Sequence, residues 1–238
     1  MTIVKPTFAD LKSMKINFPV FSILACFLLV STVSAEQYKL LPADESDRDL
    51  EFVEFKQQML EAARNREPEV FVTLLSPRIF NGLNQKRGMK QFLKIWEPDS
   101  IDSELWETIE VILEMGGGFI RSEKGVEFCA PYVFSHFPSE LDIYAHGVVT
   151  TENIPLKSEP SLSSDTKKML SYDILQVLDW VSIQDKSGGA VNWLKITTMQ
   201  GDSGYINREH IRSPSDYSAC FLKKKNKDWK LNALLTSE

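Results

Sequence analysis

The chain has 238 residues, 43% hydrophobic and 25% charged, with 33 acidic against 27 basic side chains and three cysteines. That hydrophobic fraction supports a packed core and excludes a mainly disordered chain, while a net charge of −6 argues against nucleic acid as a partner. Three cysteines are too few for a disulfide-built scaffold and no Cys/His spacing fits zinc, so neither a metal nor a cofactor is expected.

Lys5, Lys12 and Lys15 make a basic start, Phe18 to Val30 is an uncharged apolar run, and Val33-Ser34-Ala35 ends it in small residues. This is the order of a secretory signal, cleaved after Ala35. The run is also about the minimum length for an uncleaved membrane anchor, and Ile23-Leu24-Ala25-Cys26 resembles a bacterial lipobox with Cys26 as the lipidated residue. Each alternative places the rest of the chain outside the cytoplasm, periplasmic or secreted, with membrane contact only through this segment. Because residues 1–35 hold three lysines and one aspartate, the remainder is two charges more negative, at −8.

Residues 36–48 are polar and aperiodic and read as a linker. A helix is predicted from about Asp49, with Ser46 and Asp47 as capping candidates and Phe52, Phe55, Met59 and Ala63 on its apolar face. Pro68 suits the first turn of a second helix, carrying Val70, Phe71, Leu74 and Leu75 and stopping at Ser76-Pro77. Asn84 is the capping candidate for a third, with Met89, Phe92, Leu93 and Trp96 at helical spacing and Pro98 ending it. A fourth begins at Asp102 or Ser103 and ends at Gly116-Gly117-Gly118.

There the period changes. Phe119–Arg121 and Val126–Ala130 flank a hairpin loop, so residues 49–140 read as a helical domain ending in a hairpin. Short strands and turn signals follow, giving an α+β chain. Within 146–212, Pro155-Leu156-Lys157-Ser158-Glu159-Pro160-Ser161 is followed by an apolar strand, Met169 to Val177. A tryptophan-led strand, Asn192-Trp193-Leu194-Lys195-Ile196, and a glycine turn with a closing strand, Gly201-Asp202-Ser203-Gly204-Tyr205-Ile206, complete the segment.

On these residues the segment resembles the bacterial SH3-like (SH3b) domain, a small barrel of exported bacterial proteins. Pro155, Lys157 and Tyr205 depart from the family's usual residues. The resemblance implies a barrel that binds peptidoglycan or peptide. Tyr172, Trp180 and Tyr205 are the candidates for lining its groove, while Trp193 is expected in the core.

Residues 213–238 form a second hairpin, Tyr217–Lys224 and Asp228–Leu235. If it packs back on the Phe119–Ala130 hairpin, the barrel becomes an insertion. Cys129 and Cys220 then meet, either as a disulfide or as two buried thiols.

Catalytic groupings fare poorly. Cys129 lies in a strand rather than at a helix N-terminus, where a nucleophilic thiolate is stabilised, so pairing with His136 or His146 is not expected. His210 falls in a turn and reads as solvent-exposed. The acidic cluster Glu97, Asp99, Asp102 and Glu104 offers paired carboxylates of the kind used in glycoside hydrolysis. Asp102 and Glu104, however, sit at a helix start, where capping and the dipole explain acids, and the glycine triplet follows a helix and lacks a P-loop lysine. Lys223, Lys224, Lys225 and Lys227 beside Trp229 are either a solubilising hairpin tip or an anion-attracting patch. The expectation is an exported, non-enzymatic binding protein that engages a cell-envelope polymer or a protein or peptide partner. The alternatives are an envelope hydrolase with its site in a cleft, and a secreted interaction factor.

Overall fold

The structure, a computed structural model, describes residues 38–82, 85–122, 125–185, 190–225 and 227–235. The segment expected to be a signal with cleavage after Ala35, Cys26, and the capping candidate Asn84 lie outside the described residues. The fold is mixed α+β. Ala35–Glu238 forms one compact unit, and among the described residues no helix is long and apolar enough to cross a membrane.

Helix α1 spans Leu50–Arg64. Its cap is Asp49, whose carboxylate accepts the Phe52 N–H at 3.0 Å; Ser46–Arg48 instead form a 3-10 turn. Helix α2 is Pro68–Thr73, and strand β1 follows at once, Leu75–Phe80. The expected helical continuation through Leu74 and Leu75 is therefore wrong. Pro77 has no N–H to donate and is tolerated because β1 is a sheet edge.

Helix α3, Met89–Trp96, starts later than an Asn84 cap implies. The Asn81 side-chain amide donates to the Lys86 and Gly88 carbonyls, and the Gly88 N–H donates to Ile79. Those bonds tie the preceding turn to β1, and Gly88 supplies the positive φ of 106° at its end. Helix α4, Leu105–Glu114, begins after Ser103, whose hydroxyl accepts the Leu105 N–H and donates to the Trp96 carbonyl at 2.6 Å.

Strands β2 (Gly118–Ser122) and β3 (Gly125–Ala130) form the hairpin read from the sequence. The short helix α5 is Tyr132–Ser135. The chain then makes eight strands: β4 His146–Val149, β5 Ile154–Lys157, β6 Thr166–Leu170, β7 Ile174–Val177, β8 Ile183–Gln184, β9 Asn192–Thr198, β10 Ser203–Asn207 and β11 Ile211–Arg212. It returns through β12, Ser218–Lys223, and β13, Trp229–Leu235.

These last two strands are the centre of a five-stranded sheet in the order β1-β13-β12-β3-β2, with β1 parallel to β13 and the other pairs antiparallel. Alternation along β12 separates its faces. Ala219 and Phe221 join α1–α4 in the larger core, with Phe52, Phe71, Trp106, Phe128 and Trp229, whereas Cys220 belongs to a small cluster with Cys129 and Ala233.

β4–β11 lie between β3 and β12 in sequence and form a second sheet, β11-β4-β7-β9-β10-β5-β6, with β8 added on β9. Its own core is Val149, Ile154, Leu156, Leu170, Leu175, Val177, Leu194, Ile196, Ile206 and Ile211. Trp193 is buried, its indole N–H donating to Asp185 at 3.0 Å. The single strand expected over Met169–Val177 is two strands that are not neighbours in the sheet. The chain turns at Tyr172, where φ is 59°, and the Asp173 carboxylate accepts the Ser171 N–H at 2.6 Å.

Residues 38–48, expected as a linker, run along the body instead. Lys39 pairs with Asp173, the Leu40 N–H donates to the Tyr172 carbonyl, and the Glu45 carboxylate accepts the Phe119 N–H. Leu40 packs with Tyr132, Val133, Val148 and Ile174 in a seam between α5 and the second sheet.

Candidate functional site

The three aromatics expected to share a groove have separate surroundings. Tyr172 is the corner between β6 and β7, and its carbonyl is held by Leu40. Tyr205 lies within β10, in register with Lys195 on one side and Lys157 on the other. Trp180 follows β7 and is oriented on two sides: its indole N–H donates to the Tyr144 carbonyl at 2.8 Å, and the Arg208 guanidinium lies 5.4 Å from its ring centroid. It also packs on the second core. A side chain at Gly147 would meet it, which explains the glycine there. Close to Trp180 in sequence, Leu178, Val181 and Ile183 are 50%, 72% and 40% exposed. The sequence reading passed over these aliphatics because they lie in a short, irregular excursion where no period marks a face.

Cys129 and Cys220 are directly opposite in the β3–β12 pairing and are joined as a disulfide. Among the described residues no free thiol remains for nucleophilic chemistry. Glu127 brings a carboxylate within 4.8 Å of the two sulfurs, but sulfurs bonded to one another supply no thiolate for a metal.

The histidines are held by separate local contacts. His136 Nδ1 is 3.0 Å from the Ser135 hydroxyl and its Nε2 is 3.8 Å from Glu45, whose carboxylate also pairs with Arg48 at 2.7 Å. His146 Nδ1 is 2.8 Å from the Asp142 carbonyl. His210, expected on the surface, is half-buried in the 3-10 turn Arg208–His210, its carbonyl accepting the Thr150 N–H. Glu97, Asp99, Asp102 and Glu104 are all exposed around the α3–α4 turn.

Clefts among the described residues include the following two. One, of about 280 Å³, lies between α4 and the chain before β12, lined by Glu104, Glu107, Thr108, Val111, Arg212 and Tyr217. Burial holds the Arg212 guanidinium below its usual pKa, with Asp216 opposing the shift. One Nη of Arg212 donates to the Tyr217 carbonyl at 2.6 Å. Its Nε has no hydrogen-bond partner, and neither has the Tyr132 hydroxyl, which interacts with it electrostatically.

The other cleft, of about 360 Å³, crosses β1, β13 and β12. Ser76 and Pro77 border it on one side, Leu222, Lys230 and Asn232 lie along it, and Lys224, Lys227 and Asp228 stand at its hairpin end. None of the three candidate aromatics lines either cleft.

The lysine cluster of the sequence divides here. Lys223 Nζ is 2.6 Å from Glu51 and 3.7 Å from Asp49, and lies 6.0 Å from the Trp229 ring centroid, so it is engaged by α1. Lys224, Lys227 and Lys230 line the cleft. Sequence reasoning missed the β1 residues, because only the parallel β1–β13 pairing brings them to the hairpin, and it passed over Lys230, which lies within the hairpin strand itself, opposite Leu222.

No family model matches the chain, and neither a curated protein nor a solved structure gives a significant match.

Proposed function

We propose that the chain is an exported, non-enzymatic binding protein whose residues 146–212 work as an SH3-like barrel, carried by a helical and sheet body. It engages a cell-envelope polymer or a peptide through the surface around Trp180. The observation that carries this reading is the oriented Trp180 flanked by exposed Leu178, Val181 and Ile183. Exposed aliphatic residues in the same segment as a fixed indole are the composition of an interface anchor. The barrel reading is supported by eight short strands around a separate aliphatic core. Export is supported by the basic, apolar and small-residue order of the first 35 residues and by the Cys129–Cys220 disulfide, a bond that persists in oxidising compartments.

Co-sedimentation with purified sacculi tests it. The protein is expected to be retained, and Trp180→Ala to weaken retention by about 2 kcal/mol, roughly thirtyfold, while the far-UV spectrum stays unchanged. Absence of retention removes the wall polymer as ligand. A peptide partner then has to be found by display selection, and Trp180→Ala must lose the selected peptides or the reading fails.

A further inference from the structure

We infer that the cleft across β1, β13 and β12 is a second binding site, one that takes a phosphorylated polyol such as a glycerol or sugar phosphate. The inference is independent of the Trp180 surface. Three ammonium groups, Lys224, Lys227 and Lys230, face one cleft of about 360 Å³ in a chain whose net charge is −6. Chance placement on an acidic protein scatters lysines among carboxylates, as happens to Lys223 with Asp49 and Glu51. Here the adjoining positions are kept apart from that pairing by strand alternation: Lys223 turns to α1, while Leu222 and Lys230, directly opposite one another in the β12–β13 register, both line the cleft.

The turn that closes the hairpin supplies the other two charges. The Lys227 N–H donates to the Lys224 carbonyl at 3.0 Å, which sets these residues at the two ends of one tight turn. Lys230 is fixed from β1's side, its ammonium donating to the Thr73 carbonyl at 2.7 Å and keeping further N–H groups for a ligand. Among the described residues, neither Lys224 nor Lys227 has a side-chain partner.

The lining selects the ligand class. Several flexible point charges suit the three oxygens of a phosphate better than a planar carboxylate, for which the arginine fork is the better match. Asp228 leaves three cations against one anion, so the cleft remains positive, and its carboxylate accepts hydrogen bonds from hydroxyls. Asn232 and Ser76 add polar groups of the same use. Leu222, only 5% exposed, and Pro77 give low-dielectric walls that strengthen the field of the lysines. A group with one phosphate and neighbouring hydroxyls meets all of these. It occurs both as a soluble glycerol phosphate and as the headgroup of phosphatidylglycerol.

The test uses both sources with the full protein at low ionic strength. Glycerol 3-phosphate is titrated calorimetrically, and vesicles of phosphatidylglycerol in phosphatidylcholine are co-sedimented against phosphatidylcholine alone. Binding is expected to at least one probe. The double variant Lys224→Gln/Lys227→Gln is expected to weaken it about tenfold or more, since each charge-assisted contact is worth roughly a factor of ten. The control Lys90→Gln/Lys94→Gln removes two exposed charges from α3, outside the cleft, and should change binding less than about twofold. Binding to both probes assigns the phosphate itself, and binding to vesicles alone assigns the lipid headgroup. Failure of both probes to bind overturns the inference, and so does equal weakening by the two double variants.

Discussion

Tyr132 shows how a single buried phenol links the chain's two sheets to pH. It is 2% exposed, and burial pushes its pKa from the usual 10.0 up to about 12, with Tyr172 adding to the shift and Arg212 opposing it. The folded state thus keeps a proton that the unfolded chain releases near pH 10. Stability from this group is fully present below pH 10 and is lost as the pH rises toward 12. Tyr132→Phe removes a hydroxyl with no hydrogen-bond partner, so at pH 7 it should change stability by less than about 1 kcal/mol in either direction. Its urea midpoint should also fall less between pH 9 and pH 11.5 than that of the parent. Equal alkaline losses in the two proteins would assign the pH sensitivity elsewhere.

Among the elements, the β3–β12 pair joins the two ends of the long insertion, and the disulfide crosses it. Cys129 and Cys220 are 91 residues apart in sequence but opposite in register. Cross-linking them restricts the unfolded chain, for which about 2–5 kcal/mol is the ordinary range. Reduction, or Cys129→Ala with Cys220→Ala, should therefore lower the urea midpoint by an amount in that range. A midpoint indifferent to reductant would show that the bond is not formed in the folded protein.

Much of this pairing was legible in the sequence. Phe119–Ala130 and Tyr217–Leu235 are rich in strand-forming residues around turn signals, and only two cysteines follow residue 35. Illegible were the elements that tertiary contacts decide. β1 was hidden behind Pro77, tolerated only at an edge, and the break at Tyr172 was hidden inside a stretch, Met169 to Val177, whose apolar residues read as one strand. The Trp180 anchor was readable as an aromatic, whereas the exposure of the aliphatics near it in sequence and the Thr73–Lys230 contact depend on chain segments distant in sequence.

At the scale of the whole molecule, two cores of different composition share one folding unit. The helical side is aromatic, with Phe52 in contact with Phe128, Phe221 and Trp229, and the buried residues of the second core are aliphatic, with Trp180 packed against them. They meet across a thin seam in which Tyr132 and Val133 of α5 pack with Val148 of β4, Ile174 of β7 and Leu40 of the N-terminal strap. Among the contacts that join the two cores are this seam and the disulfide-closed crossing of β3 and β12. Val133 is fully buried there, and Val133→Ala removes two methyl groups at a cost of about 1–3 kcal/mol. That loss falls on the coupling between the cores rather than on either one. The parent protein should unfold in one calorimetric transition, with calorimetric and van't Hoff enthalpies equal. In Val133→Ala the ratio of the two should rise above one, because the aromatic and aliphatic cores then melt at different temperatures. A variant that melts lower but still in a single transition would place the coupling in the β3–β12 crossing instead.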